Sequence, residues 1–184
     1  MRWGELFDDL EAQYAAARDA ELATEIGDRA RREVGMVRLV DRLRPAVGQP
    51  LVLRVAGAGA IEGALVSVGP DWLLIAEVAG REALVSTHAL LSIGGLAAQS
   101  ASAQATGAVA ARLTLAFALR GVVRDRSAVT LSYTDGSTTT GTLDRVGADF
   151  VEIAEHPPGE ARRRGAVRAV RTVPFTALAL ARRA

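Results

Sequence analysis

Side chains able to move protons or hold metals are sparse in this chain of 184 residues, which has two histidines, His88 and His156, and no cysteine. Hydrolytic chemistry needs a nucleophile, a positioned base and a third group that orients the base. Neither histidine stands in a spacing that suggests such a triad or a metal site, so the chain is read as a non-enzyme without a cofactor or a metal. Two aspartates recur in matching surroundings: Asp71 comes two residues after Gly69 and precedes Trp72, and Asp149 comes two after Gly147 and precedes Phe150. A pair of site carboxylates is one reading. A turn aspartate bonding nearby backbone N–H groups between two strands is the other, and the adjacent glycine and flanking strands explain it fully. Glu77 and Glu155 end the same strand in each copy and are expected to stay solvated.

Two further stretches carry candidate binding chemistry. Val55-Ala-Gly57-Ala-Gly59-Ala-Ile-Glu-Gly63 looks like a glycine loop that would present a helix N-terminus to phosphate. The residues after Gly63, Ala-Leu-Val-Ser-Val-Gly-Pro-Asp, are strand-like and soon broken, so a hairpin turn is the better reading. The run Arg162-Arg163-Arg164, with Arg168 and Arg171 after it, is a basic segment that can neutralise phosphates without reading bases. No aromatic residue lies beside the run to stack a base.

These residues are placed by an internal repeat. Gly63 to Glu77 (GALVSVGPDWLLIAE) and Gly141 to Glu155 (GTLDRVGADFVEIAE) align without a gap and share eight of fifteen residues. Each copy must therefore form the same structural unit. Upstream, Leu51, Leu53 and Val55 fall on Val129, Leu131 and Tyr133 with the period of two that marks a strand. Further back, Arg32 to Arg44 falls on Ala110 to Val122 as a helical stretch. Strands are expected near 51–56, 60–68, 71–78, 82–86 and 90–93, and again near 128–133, 138–146, 149–155, 166–172 and 176–180. Thr134-Asp-Gly-Ser137 has hairpin-turn composition. The expected organisation is an acidic N-terminal helix over 1–34, a first helix and β-unit over 35–96, a small polar linker over 97–107, and a second helix and β-unit over 108–184.

Apolar residues make up 49% of the chain but aromatics only 4%, so the core must be built in thin layers from Leu, Val, Ile and Ala. All 22 basic residues are arginine. Net charge is +1, yet residues 1–35 hold nine acids against five Arg, whereas residues 157–184 hold seven Arg against Glu160 alone. Such segregation suits either an anionic partner or attraction between the two ends. Without cysteine there is no disulfide framework. No segment has the length of a membrane span or the form of a signal peptide, so a cytoplasmic protein with no membrane association is expected.

The pattern Val129-Thr-Leu131-Ser-Tyr133-Thr-Asp135-Gly136, then Gly141-Thr-Leu143, then Phe150-Val-Glu-Ile153, resembles the Sm-like family, including its bacterial RNA-chaperone branch. In the first copy, Thr87-His88-Ala89-Leu90-Leu91-Ser92 is similar to the histidine-bearing segment of that branch. The resemblance implies a mainly β protein with helices (α+β): two tandem five-stranded barrels, each preceded by a helix, plus the extra N-terminal helix. It also implies homo-oligomers through barrel edge strands and RNA bound around a pore. The family's base-contacting asparagine is replaced by Leu73 and Val151, and its histidine survives only as His88, with Phe175 set against it in the second copy. His88 is expected to pack under its own barrel. The leading functional expectation is a non-catalytic, RNA-binding regulator using Arg162, Arg163, Arg164, Arg168, Arg171 and His88. The alternative is a protein-interaction or assembly module that has lost the RNA pocket, binding another protein or itself through edge strands or the N-terminal helix.

Overall fold

The structure is a computed structural model that describes residues 3–77, 80–101, 112–157 and 167–183, with side chains from Glu11 onward except Ala30. The chain divides into two units, residues 1–38 and 39–184. The first contains one helix, α1 (Trp3–Met36). Its composition, rich in Ala, Glu, Arg and Leu, favours helix, and Gly35 lies next to its last residue. Among the described residues no helix is long and apolar enough to cross a membrane.

The second unit begins with α2 (Leu39–Leu43) and a short 3₁₀ turn, then runs β1 (Pro50–Val55), β2 (Gly59–Val68), β3 (Trp72–Glu77), β4 (Glu82–Ser86), a 3₁₀ turn (Thr87–Ala89) and β5 (Leu90–Gly94). After α3 (Leu115–Asp125) come β6 (Ala128–Tyr133), β7 (Thr138–Val146), β8 (Phe150–Glu155), β9 (Ala169–Pro174) and β10 (Leu178–Arg183). All ten strands belong to one antiparallel sheet of order β5-β1-β2-β3-β4-β10-β6-β7-β8-β9.

That order overturns the expected pair of closed five-stranded barrels. Each copy does place its strands in the same sequence, fifth beside first, then second, third and fourth. Neither set closes on itself. The free edge of β4 is taken by β10 of the other copy, so the two halves share one open sheet.

The strands obey the repeat in detail, whereas the helices before them differ, five residues in α2 against eleven in α3 and not the matching stretches 32–44 and 110–122 that were expected. Irregularities fall at matching points, between Leu65 and Ser67 in β2 and between Leu143 and Arg145 in β7. Gly63 and Gly141 are both required by close approach, since a Cβ on either would run into the backbone carbonyl of Ala76 or Ala154 on the next strand. Thr87 donates its N–H to Asp71 O at 3.0 Å, and Phe175 donates to Asp149 O at 2.8 Å. Phe175 is thus the partner of Thr87, and His88 corresponds to Thr176, one residue from the sequence-based alignment. Sequence-based strand limits hold to within one or two residues from β1 to β8. The last two strands lie two to three residues later than expected.

Two cores result, and each borrows from the other half. The first contains Leu43, Leu51, Leu53, Leu65, Leu73 and Ile75, together with Ala179 and Leu180 of β10. The second contains Leu115, Leu119, Leu131, Leu143, Val151 and Ile153, together with Trp72 of β3, with Leu74 and Leu84 packed against it. In β3, Trp72 and Leu74 face the second core while Leu73 and Ile75 face the first. Strands buried on both faces read as continuous apolar runs, which is why β3 is Trp-Leu-Leu-Ile and β10 is Leu-Ala-Leu-Ala.

Candidate interaction surfaces

Of the sequence-predicted site residues, Arg162, Arg163 and Arg164 lie outside the described residues. Arg168 is exposed and donates its backbone N–H to Glu155 O at 2.9 Å. Arg171 is exposed on β9, with Nε 2.8 Å from Glu155 Oε2. The hydrogen bond to Glu155, and then its charge, raise the guanidinium above its ordinary pKa. Its charge is therefore already answered within the chain. His88 is exposed in the 3₁₀ turn before β5, not packed beneath the sheet, because the neighbouring Ala89 takes the buried position. β5 and β9 are the two ends of the strand order, so His88 adjoins one terminal strand, and Arg168 and Arg171 adjoin or lie on the other.

Asp71 has a structural role. Asp71 Oδ1 accepts from Leu115 N at 2.7 Å, capping the first turn of α3 across the repeats instead of serving its own turn. Asp149 is exposed. Glu77 and Glu155, expected to be solvated, are ion-paired instead; Glu77 receives Arg182 Nε at 2.9 Å and Nη2 at 2.8 Å in a two-pronged contact with the Glu side chain only 12% exposed. His156 is buried, with Nδ1 3.0 Å from Pro157 O and Nε2 2.8 Å from Thr142 Oγ1. A carbonyl can only accept, so Nδ1 carries the hydrogen and both ring nitrogens are satisfied. Among the described residues no group of His, Asp and Glu is placed to hold a metal ion.

The joint between the halves is built on both faces. Leu180, Ala181 and Arg182 of β10 pair with Val85, Leu84 and Ala83 of β4. On one side Trp72 Nε1 donates to Leu113 O at 2.6 Å beside the Asp71 cap. At the hairpin end Gly57, in the left-handed region at φ 68°, lies so close to Tyr133 O and Gly136 N that a Cβ would collide with both.

The outer edges repeat the strands of this joint but not its chemistry. The positions of Leu74, Ala83 and Leu84 are taken in the second copy by Glu152, Arg171 and Thr172, all aligned by the strand registers. Glu152 is held by the exposed Arg145 at 3.0 and 2.6 Å. Gly57 is replaced by Asp135, whose carboxylate accepts from Ser137 N at 2.8 Å and Ser137 Oγ at 2.6 Å. β9 also carries Pro174, which has no N–H to offer a new strand. A cleft of about 490 Å³ remains open here, lined by Tyr133, Asp135, Arg171, Val173, Pro174 and Ala177. The other terminal strand, β5, exposes Leu91 to 69%.

α1 is the second surface. Every described side chain from Glu11 to Met36 is exposed except at Gly27, which is half-buried. Tyr14, Leu22, Ile26, Val34 and Met36 are the apolar members, at 56 to 73% exposure. Its ion pairs, Arg29 with Glu33 at 3.8 Å and Arg31 with Asp28 at 2.6 Å, are local and open to water. The acidic N-terminal helix expected over 1–34 is present as α1, with these apolar side chains exposed.

No protein-family model, curated protein or solved structure matches this chain.

Proposed function

We propose that this protein is a non-catalytic interaction module in which α1 engages a protein partner. The observation that carries this reading is the exposure of Tyr14, Leu22, Ile26, Val34 and Met36 along a 34-residue helix. Long helices in water draw most of their stability from packing an apolar face, and this face is uncovered. The terminal strands are the weaker docking candidates. β9 carries Arg171, Thr172 and Pro174, the residues with which sheet edges are blunted. The resemblance of the repeat to the Sm-like family enters this proposal through the identical strand order of the two halves, and the loss of the family's asparagine at Leu73 and Val151 agrees with an interaction role. The test is native mass spectrometry of the intact protein purified gently from its own cells. A stoichiometric partner that is lost in a Leu22→Glu/Ile26→Glu variant supports the reading. A complex that survives those substitutions refutes it.

A second reading, RNA contact through Arg162, Arg163 and Arg164, is favoured by the exposure of the adjoining Arg168. Replacing the three by Ala should then weaken RNA binding and flatten its salt dependence by roughly one to three in slope. Unchanged affinity removes that segment from the mechanism.

A further inference from the structure

We propose that the partner of α1 is the α1 of a second copy of this chain, aligned antiparallel; this rests on the interaction-module reading above. The helix is charge-segregated: residues 3–28 hold eight acids against Arg18 alone, while residues 29–36 hold Arg29, Arg31 and Arg32 against Glu33. Parallel helices would set like against like. Antiparallel helices set the basic end of each against the acidic end of the other.

One register satisfies charge and apolar contact together. At 100° per residue, Glu11, Tyr14, Arg18, Leu22, Glu25 and Arg29 share one face of the helix, with Ile26 at its margin. When Arg18 of one copy lies beside Leu22 of the other, the two Leu22 side chains flank the two-fold axis on the same side of the seam and Glu11 meets Arg29, a charge pair that occurs twice by symmetry. The same register brings Asp8 level with Arg32. Each Arg18 then has Glu25 of the other copy within one turn, so the basic residue at the centre is also answered. The two-fold arrangement is closed, which fixes the assembly at two chains.

The exposed partners that Arg29 and Arg31 have within the helix do not oppose this. Arg29 and Glu33 are 82 and 68% exposed at 3.8 Å, a contact readily exchanged for an intermolecular one. A dimer held by such pairs on a modest apolar stripe is salt-sensitive and concentration-dependent.

The experiment uses the full chain, with mass measured by sedimentation over a range of concentration and salt. The wild type should reach two chains and dissociate as salt rises. Arg29→Glu/Arg32→Glu and Asp8→Arg/Glu11→Arg variants should each dimerise at least roughly tenfold more weakly, and a mixture of the two should restore the dimer. Circular dichroism of each variant separates lost pairing from lost helix. Because the chain has no cysteine, orientation is read directly. Glu11→Cys mixed with Arg29→Cys, directly opposed in this register, should give a mixed disulfide under mild oxidation, whereas Glu11→Cys bridging to itself would sink the antiparallel register. A wild type that stays monomeric, or a dimer indifferent to the charge swaps, overturns the proposal. If the protein is monomeric yet holds a different partner through Leu22 and Ile26, the interaction-module reading stands without it.

Discussion

The inner joint between β4 and β10 and the outer edges at β5 and β9 are built from the same repeated strands, yet they have opposite surface character. Inside, Leu74, Leu84 and Leu180 are packed into cores, and Gly57 lets two hairpins touch. Outside, the corresponding positions on the second copy include Glu152, Thr172 and Asp135. A strand edge with apolar flanks recruits another strand, while charge and proline on the edge discourage it. The repeat thus forms a self-complementary seam at β4 and β10, while the equivalent edge at β9 carries polar residues and a proline in its place.

The largest expected effect comes from breaking the inner seam at Trp72. Trp72→Ala removes a side chain buried in the other half's core along with its bond to Leu113 O, and should cost about 3–5 kcal/mol in denaturant unfolding. Loss of a single cooperative transition is not expected, since both cores share strands. A variant in which the halves then melt separately would contradict that. Leu180→Ala, fully buried in the first core although it lies on β10, should cost about 2–4 kcal/mol in the same assay.

The next contrast is between equivalent ion pairs. Arg182→Ala strands the largely buried Glu77 and should cost about 1.5–3 kcal/mol, while Arg171→Ala on the outer edge should cost about 0–1 kcal/mol. Equal costs would mean that seam and edge hold their ion pairs alike. Conversion offers a second probe: Glu152→Leu/Arg171→Ala/Thr172→Leu gives the outer edge the inner seam's residues. This variant should associate through its sheet and so exceed the wild type's mass by light scattering at the same concentration.

The smallest effect concerns the turn that replaces Gly57. Hydrogen bonds from Ser137, the side chain's first and the backbone N–H next, hold the Asp135 carboxyl below its ordinary value of 3.8. A depressed carboxylate contributes stability above its unfolded pKa and loses it as pH falls through the folded one. The Ser137 amide resonance should therefore shift as pH falls with a midpoint below 3.8. A midpoint above 3.8 would show the turn to be unbonded in solution.

Much of the fold was legible because its causes are local and repeated. Eight of fifteen identities between Gly63–Glu77 and Gly141–Glu155 specified one unit twice, and period-two alternation located most strands. The Asp135-Gly136 turn was readable because positive φ there needs glycine, found at 91°. The site residues were less legible. Arg171 is basic in sequence and neutralised in space, since Glu155 is sixteen residues away but on the adjacent strand. Asp71 was rightly structural, but its partner Leu115 lies 44 residues on, beyond any local rule.

The repeated unit, the strands and their turns, the long helix with its charge gradient, and the absence of thiol chemistry are all written in the order of the amino acids. Tertiary structure was needed to show that β4 finds β10 instead of closing its own half, and so that the product is one open sheet and not two barrels. The physical reason is that an edge strand's backbone donors and acceptors accept any partner of suitable register. The choice among partners is made by side chains distant in sequence, here Trp72, Ala179, Leu180 and Arg182, whose meeting only the folded chain defines.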